Sequence, residues 1–251
     1  MLVDTHSHIF FYKEKVDDVI KECKEKGVKY IVENGLNVET NRIVLNEAKK
    51  YDIVLAALGF HPVDISKEKE DIIEKEIEFI KENKDKIVAI GEVGLDYYWV
   101  KEKDLQEKQK KYLYKFIELA EDIKKPLIVH SRNSEKDIID ILSTTKAKVI
   151  LHSYMGRISY AKKAIDFGFY FSVPSVVYKR KDLHRLIEEI PLELILTETD
   201  SPFLDPVGYR NNKPWKVIYG LETITKIKKV DLEELKAIII RNFEKVFQVK
   251  V

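Results

Sequence analysis

The hydrophobic pattern of the chain alternates between two kinds of segment. Short runs rich in β-branched and other apolar residues are separated by longer stretches in which apolar positions recur with a helical period. The runs show little of the polar alternation of a half-exposed sheet, which is typical of strands buried on both faces. We predict eight strands, at residues 2–8, 28–34, 53–60, 87–95, 126–130, 147–152, 169–174 and 194–199.

Alternation of strand and helix eight times favours a closed (β/α)8 barrel, a TIM barrel, over an open doubly wound sheet. Such a barrel needs about 250 residues. We therefore expect residues 1–251 to form a single α/β domain with extra C-terminal helices. The first helices are predicted at residues 16–26, 40–51, 69–84, 105–123, 135–143 and 183–189, and a Gly/Pro/Asn-rich loop at 201–214 precedes two more.

Composition excludes several classes of protein. The hydrophobic content of 45% supplies a full core, and no run of about 18 uncharged apolar residues could span a bilayer. The chain starts in a strand without the pattern of a signal peptide, and its lone cysteine, Cys23, cannot form an internal disulfide. We expect a cytoplasmic protein, a monomer or weak oligomer. The net charge of +1 argues against nucleic-acid binding by bulk attraction, so any phosphate binding must be local.

Six residues of metal-binding type fall in or just after the predicted strands. Two of them, His6 and His8, are two positions apart on a strand, where side chains share one face. Barrel enzymes build their active sites from the C-terminal ends of several strands. The sequence therefore predicts a metal site at that end of the barrel. The six residues are His6, His8, Glu92, His130, His152 and Asp200.

Several motifs resemble, in chain order, those of the TatD family of metal-dependent deoxyribonucleases in the amidohydrolase superfamily. RNF at residues 241–243 is similar to that family's C-terminal element. The resemblance implies a TIM barrel, two divalent ions and hydrolysis of phosphodiester bonds in DNA, often from the 3′ end. The motifs are VDTHSH at 3–8, GFHP at 59–62, GEVGLDYY at 91–98, PLIVHSR at 126–132 and TETDSPFL at 197–204.

The resemblance also implies how the ligands are divided. It places His6, His8 and Asp200 on one ion, His130 and His152 on the other, and Glu92 between them. Two ions roughly 3.5 to 4 Å apart can activate a bridging water and clamp the attacking and leaving oxygens. Asp200 is our choice for general base, with Glu92 as the second catalytic carboxylate. Imidazole suits zinc or manganese whereas the family is described as magnesium-dependent, so Mg²⁺, Mn²⁺ and Zn²⁺ all remain open.

Three further residues are candidates for substrate binding. Arg132 lies two positions after His130 on the fifth predicted strand. Its side chain could hold a substrate phosphate, or could instead form an ion pair with a loop acid. Tyr98, between Tyr97 and Trp99, could stack on an unpaired base or simply cover the barrel mouth. His61 could contact substrate or order its loop.

Departures from the family pattern bear on substrate preference. The segment after His152 reads Ser-Tyr-Met-Gly instead of the family's Cys-Phe-Ser/Thr-Gly, and Asn133 replaces an acid. Lys213 replaces the acid of the family's Arg-Asn-Glu-Pro element, in which Arg210 would be the arginine.

We expect a two-metal 3′-5′ exonuclease acting on single-stranded DNA ends. One alternative is another amidohydrolase-superfamily hydrolase that cleaves a small ester, amide or phosphoester. Many of those enzymes bridge their metals with a carboxylated lysine on the fourth strand, where this chain has Glu92. Another alternative is a metal- or nucleic-acid-binding protein without activity, against which the full set of ligands argues.

Overall fold

An eight-stranded parallel sheet forms the centre of the fold in the computed structural model, which describes residues 1–209 and 211–251. Each strand pairs with the next one along the chain. The predicted TIM barrel is confirmed, and every strand begins and ends within two residues of its predicted bounds. The strands are β1 (Leu2–Ser7), β2 (Val28–Asn34), β3 (Val54–Leu58), β4 (Ala89–Asp96), β5 (Leu127–Arg132), β6 (Val149–His152), β7 (Tyr170–Pro174) and β8 (Ile195–Glu198).

Backbone hydrogen bonds join the end of β8 to the end of β1. The N–H of Asp200 donates to the carbonyl of His6 at 2.9 Å, and the N–H of His8 donates to the carbonyl of Ser201 at 2.8 Å. These bonds place Asp200 beside His6 of β1 and beside His8, which follows the strand.

The helices pack their apolar faces on the outside of the sheet, as the helical repeat predicts. Two short helices were not predicted. One has six residues, too few to show a repeat, and the other buries only Ala161 and Ala164, so its apolar stripe is weak. The helices are α1 (Val16–Glu25), α2 (Val38–Lys50), α3 (Pro62–Lys67), α4 (Glu70–Glu82), α5 (Lys103–Ile123), α6 (Glu135–Leu142), α7 (Ile158–Asp166), α8 (His184–Glu189), α9 (Val217–Lys228) and α10 (Leu232–Phe247).

Polar contacts tie the loop after β8 to the barrel. The side-chain amide of Asn212 donates to the carbonyl of Thr199 at 2.7 Å. The ammonium of Lys216 lies 2.9 Å from the buried carboxylate of Asp205. These contacts hold the chain on both sides of Asp200, so its position at the barrel mouth is fixed from the loop as well as from β1.

Buried apolar side chains form one continuous cluster across the described chain. On this basis we propose that residues 1–251 make one domain. Within the described ranges, every helix is too short or too polar to cross a membrane.

Two neighbouring carboxyl groups, a buried one on β2 and a half-buried one on α2, affect the stability of the fold. Glu33 is fully buried, and its Oε1 accepts the N–H of Phe10 at 2.9 Å. Burial, followed by the hydrogen bond with Glu47, raises the pKa of Glu33 well above its ordinary value, and burial also raises the pKa of Glu47. The folded protein therefore retains a proton here that the unfolded chain releases.

This pair should make stability depend on pH. A raised carboxyl pKa adds stability below the ordinary value, and that stability is lost as the pH rises through the folded-state pKa. We expect the urea midpoint to fall as the pH rises above the ordinary carboxyl range, and to fall less in Glu47→Gln, whose amide can donate to Glu33 without titrating. Glu25→Gln, an exposed change at the end of α1, should keep the wild-type fall. An equal fall in wild type and Glu47→Gln would contradict the assignment.

Candidate metal centre

The six candidate ligands meet at the C-terminal mouth of the barrel. Most of them are buried, and buried polar groups of this kind need partners to offset the loss of water. They are His6 and His8 at the end of β1, Glu92 in β4, His130 in β5, His152 at the end of β6, and Asp200 two residues after β8.

One group of ligand atoms gathers around Oε2 of Glu92. The Nε2 atoms of His6 and His8 lie 3.1 Å apart, and each is 3.4 Å from that oxygen. The Oδ1 atom of Asp200 lies 3.7 Å from the first of these nitrogens and 3.5 Å from the second. The ring of His8 is oriented by its Nδ1, which lies 2.8 Å from the carbonyl of Asn34, so Nε2 is left for the centre.

A second group gathers around the other oxygen of the same carboxylate. Nδ1 of His130 lies 2.8 Å from Oε1 of Glu92, and Nε2 of His152 lies 3.8 Å from it. Glu92 thus presents one oxygen to each group, which is the arrangement of a carboxylate shared by two ions.

The spacing and chemistry of these donors fit divalent ions. An ion that binds four ligands at about 2.0 to 2.2 Å keeps them roughly 3.3 to 3.6 Å apart. The separations in both groups, from 2.8 to 3.8 Å, scatter around that value. Imidazole nitrogens and carboxylate oxygens suit zinc and manganese and do not exclude magnesium, so the donors leave the ion's identity open.

The pKa values of His6 and His8 are shifted in opposite directions from the ordinary value for histidine. Burial lowers the pKa of His6 to about 3, which keeps its imidazole in the neutral form that binds metals. Burial also opposes a charge on His8, but hydrogen bonds to Asp200 and Glu92 outweigh it and raise its pKa to about 10. An ion bound at His8 must displace this proton, so ion binding should weaken as the pH falls.

Two acids that were not predicted as site residues orient the histidines of the second group. Nε2 of His130 lies 2.9 Å from Oδ2 of Asp96, and Nδ1 of His152 lies 2.9 Å from Oε1 of Glu198. Each carboxylate accepts the N–H of one ring nitrogen, so the other nitrogen can face the centre without a proton. A signal for both was present, because each is an acid at the end of a buried apolar run, where an unpaired charge is costly.

Replacing Asp96 by Asn should weaken metal binding about 10- to 100-fold. The amide oxygen can still accept the backbone N–H groups of Tyr98 and Trp99, which lie 2.9 and 2.8 Å from Oδ1. The amide nitrogen would donate to Nε2 of His130, however, and so favour the tautomer with its proton on the nitrogen facing the centre. Calorimetric titration with Mn²⁺ measures the change, with Asp18→Asn on the exposed face of α1 as control. Wild-type affinity in Asp96→Asn would contradict this role.

The contacts of His61 are compatible with both predicted roles, which are contact with substrate and ordering of its loop. Its Nδ1 accepts the N–H of Val63 at 3.3 Å and caps α3, so it orders its loop. Its Nε2 lies 3.6 Å from Oε1 of Glu92, and its ring is 4.7 Å from that of His130. Burial lowers the pKa of His61 to about 4, so the ring beside the second group is neutral.

Arg132 and Tyr98 are in contact with each other. The guanidinium carbon lies 4.0 Å from the centre of the Tyr98 ring and 5.6 Å from that of Trp99. Among the described residues these rings, rather than a loop acid, are the partners of the guanidinium. β5 runs through Arg132 because its ladder with β4 continues to the pair Asp96 and Arg132.

Two cavities open on the centre, and His130, His152 and Asp200 line both. The larger, of about 550 Å³, has mostly apolar walls, and the smaller, of about 380 Å³, is more polar. The larger is walled by Leu36, Val63, Trp99, Val100, Leu105 and Phe203, and the smaller by Arg132, Asn133, Glu135, Ser153, Met155 and Arg180, among others.

Comparison with known proteins identifies the family. The family model described as TatD related DNase matches residues 3–248. The chain belongs to the TatD family. Its TatD-family relatives include the uncharacterized metal-dependent hydrolase YabD of Bacillus subtilis (strain 168), at 34% identity over 99% of this chain and 100% of YabD. The human deoxyribonuclease TATDN3 is 31% identical over 98% of this chain and 94% of its own length.

A solved structure supports the same assignment. The crystal structure of YJJV, a TatD homologue from Escherichia coli K12, matches with a TM-score of 0.89 and 25% identity, covering 99% of this chain and 98% of that one. Like the hydrolases of its family, this TatD-family chain is an enzyme, a metal-dependent hydrolase.

The departures from the TatD pattern have distinct positions. Asn133 has a left-handed backbone, with a φ of 56°, and its N–H donates to Glu135 at 3.2 Å. Lys213 forms an ion pair with Glu22 on α1. The expectation about Arg210 lies outside the described residues.

Proposed function

We propose that this TatD-family hydrolase is a two-metal deoxyribonuclease that releases nucleotides from the 3′ ends of single-stranded DNA. The observation that carries the proposal is the carboxylate of Glu92, whose two oxygens face two separate groups of ligands. We assign His6, His8 and Asp200 to one ion and His130 and His152 to the other, with Glu92 shared between them. The name of the human relative, a deoxyribonuclease, supports DNA as the substrate.

The charge of the centre suits a phosphodiester. With neutral imidazoles, two divalent ions and the carboxylates of Glu92 and Asp200 leave a surplus of about two positive charges. When bound, Mg²⁺, Mn²⁺ or Zn²⁺ would supply Lewis acidity toward the phosphodiester and lower the pKa of water. The two carboxylates limit the surplus, so the site can hold an anion and still release the product.

Asp200 is placed to accept a proton from the attacking water. Its side chain is 16% exposed, against 4% for Glu92, and it lines both cavities. The carboxylate of Asp200 can therefore meet a water on the substrate side, whereas Glu92 is enclosed by histidines. In the metal-free protein the hydrogen bond to His8 and the charges of nearby imidazoles outweigh burial and lower the pKa of Asp200, so its carboxylate is ionised before an ion binds.

Arg132 is the residue that we assign to a substrate phosphate. Its guanidinium lies over the ring of Tyr98, a contact that leaves N–H groups for a bidentate contact with phosphate. Tyr98 then positions Arg132 for the phosphate, and its own exposed ring is available to contact substrate. Trp99, which is exposed and lines the larger cavity, offers a second surface on which a base could stack.

The test compares nucleic acids with small molecules. Single-stranded DNA labelled at its 5′ end should shorten stepwise from the 3′ end, only with added divalent ion, and EDTA should stop the reaction. Cleavage that begins at internal positions would contradict the exonuclease assignment. Turnover of a small ester or amide without any turnover of nucleic acid would favour another activity of the amidohydrolase superfamily. Absence of turnover from both panels with ions bound would favour a binding protein.

A further inference from the structure

We propose that the smaller cavity is a second phosphate subsite, in which Arg180 binds a phosphate next to the one being cleaved. The proposal rests on the nuclease function given above and extends it. It makes Arg180 a specificity-determining residue that favours a polynucleotide over an isolated phosphodiester. The cavity runs from the metal ligands His152 and Asp200 to Arg180, so a strand cleaved at the centre can extend into it.

The guanidinium of Arg180 is fixed along one edge. Its Nε lies 2.8 Å from Oδ1 of Asp182, and its Nη2 lies 2.6 Å from Oδ2 of the same carboxylate. The remaining nitrogen, Nη1, lies 3.9 Å from the sulfur of Met155, which is a weak acceptor and another wall of the cavity. Within residues 1–209 and 211–251, Nη1 therefore has no stronger partner than this sulfur, on a cavity-lining side chain that is already held along its other edge.

The charge of Arg180 is only partly offset by its acid. The carboxylate of Asp182 is 61% exposed, so water screens the pair and an approaching anion still meets a cation. Arg132 lines the same cavity and adds a second guanidinium. The acid Glu135 also lines it, but that carboxylate accepts the backbone N–H of Asn133.

The two cavities differ in the part of a nucleotide that each can accept. Apolar and aromatic walls suit a base, as in the larger cavity, whereas two arginines suit phosphates. Both cavities reach the same ligands, so a strand lying across the centre would place a base in one and its further phosphates in the other. If Arg180 only ordered its own turn through the ion pair with Asp182, Nε and Nη2 would be sufficient and Nη1 would have no role.

The test compares two DNA substrates and two variants. One substrate is a dinucleoside monophosphate, whose single phosphate is the one cleaved, and the other is a single-stranded tetranucleotide. Wild type should have the higher kcat/KM on the tetranucleotide. In Arg180→Ala this advantage should shrink roughly 10- to 100-fold, mainly through KM, as expected for a charged hydrogen bond. Arg185→Ala removes the same charge from the exposed face of α8 and should retain the wild-type advantage.

The salt dependence of kcat/KM gives a second readout. It would not change in Arg180→Ala if Arg180 only ordered its own turn. The slope of log kcat/KM against log salt for the tetranucleotide should flatten by about 0.7 in Arg180→Ala, the loss of one single-strand phosphate contact. An unchanged slope and an unchanged tetranucleotide advantage in Arg180→Ala would overturn the subsite, as would an equal loss in Arg185→Ala. If wild type cleaves neither substrate, the nuclease function itself fails, which is a different result from cleavage of both without preference.

Discussion

Replacing Glu92 by Gln should lower metal-dependent hydrolysis more than about a hundredfold, beyond the roughly 10- to 100-fold typical for an outer partner of a metal ligand. The amide keeps one acceptor oxygen but presents a nitrogen that cannot ligate an ion. One of the two groups, either His6 with His8 or His130 with His152, would therefore lose its shared ligand. Elemental analysis of the dialysed protein should show fewer than two ions per chain.

The control for this change is Glu118→Gln, which neutralises an exposed carboxylate in the middle of α5. It should retain two ions per chain and wild-type hydrolysis. Circular dichroism and thermal unfolding would show whether Glu92→Gln remains folded, so that a loss of ions is not a loss of structure. Two bound ions together with near wild-type hydrolysis in Glu92→Gln would contradict the shared-ligand assignment.

Replacing Asp200 by Asn should lower kcat about 10²- to 10⁴-fold, the usual contribution of a positioned proton acceptor. The amide oxygen can still ligate an ion beside His6 and His8, but Asn cannot take up a proton at neutral pH. Much of the loss should therefore appear in kcat rather than in metal content. Single-turnover hydrolysis and elemental analysis on the same sample separate the two effects.

Asp166→Asn, at the exposed end of α7, is the matched control and should behave as wild type. If Asp200→Asn kept both ions and hydrolysed DNA at a near-normal rate, Asp200 would not be the general base. If it lost one ion and all activity, Asp200 would be assigned a ligand role without evidence for proton transfer.

The parts of the centre that could be predicted from sequence are those fixed by a single strand. His6 and His8 share a face because strand side chains repeat every two residues, and His130 and His152 sit at the ends of apolar runs. Sequential alternation of strands and helices then brings such ends to one side of the barrel. These regularities required no knowledge of which side chains touch.

The parts that could not be predicted depend on contacts between separate segments. Asp96 orients His130 because β4 and β5 pair with Gly94 opposite that histidine, a register that the sequence alone does not specify. The stacking of Arg132 on Tyr98 depends on the path of the loop after β4. The helical cap formed by His61 starts a helix too short to produce a repeat.

Anomalous diffraction from a crystal grown with Mn²⁺ would show whether Glu92 is shared by two divalent ions. We expect two anomalous peaks at the barrel mouth. One should lie among His6, His8, Asp200 and Oε2 of Glu92, and the other among His130, His152 and Oε1 of Glu92. A single peak without a contact to Glu92 would rule out the shared carboxylate and indicate a mononuclear site.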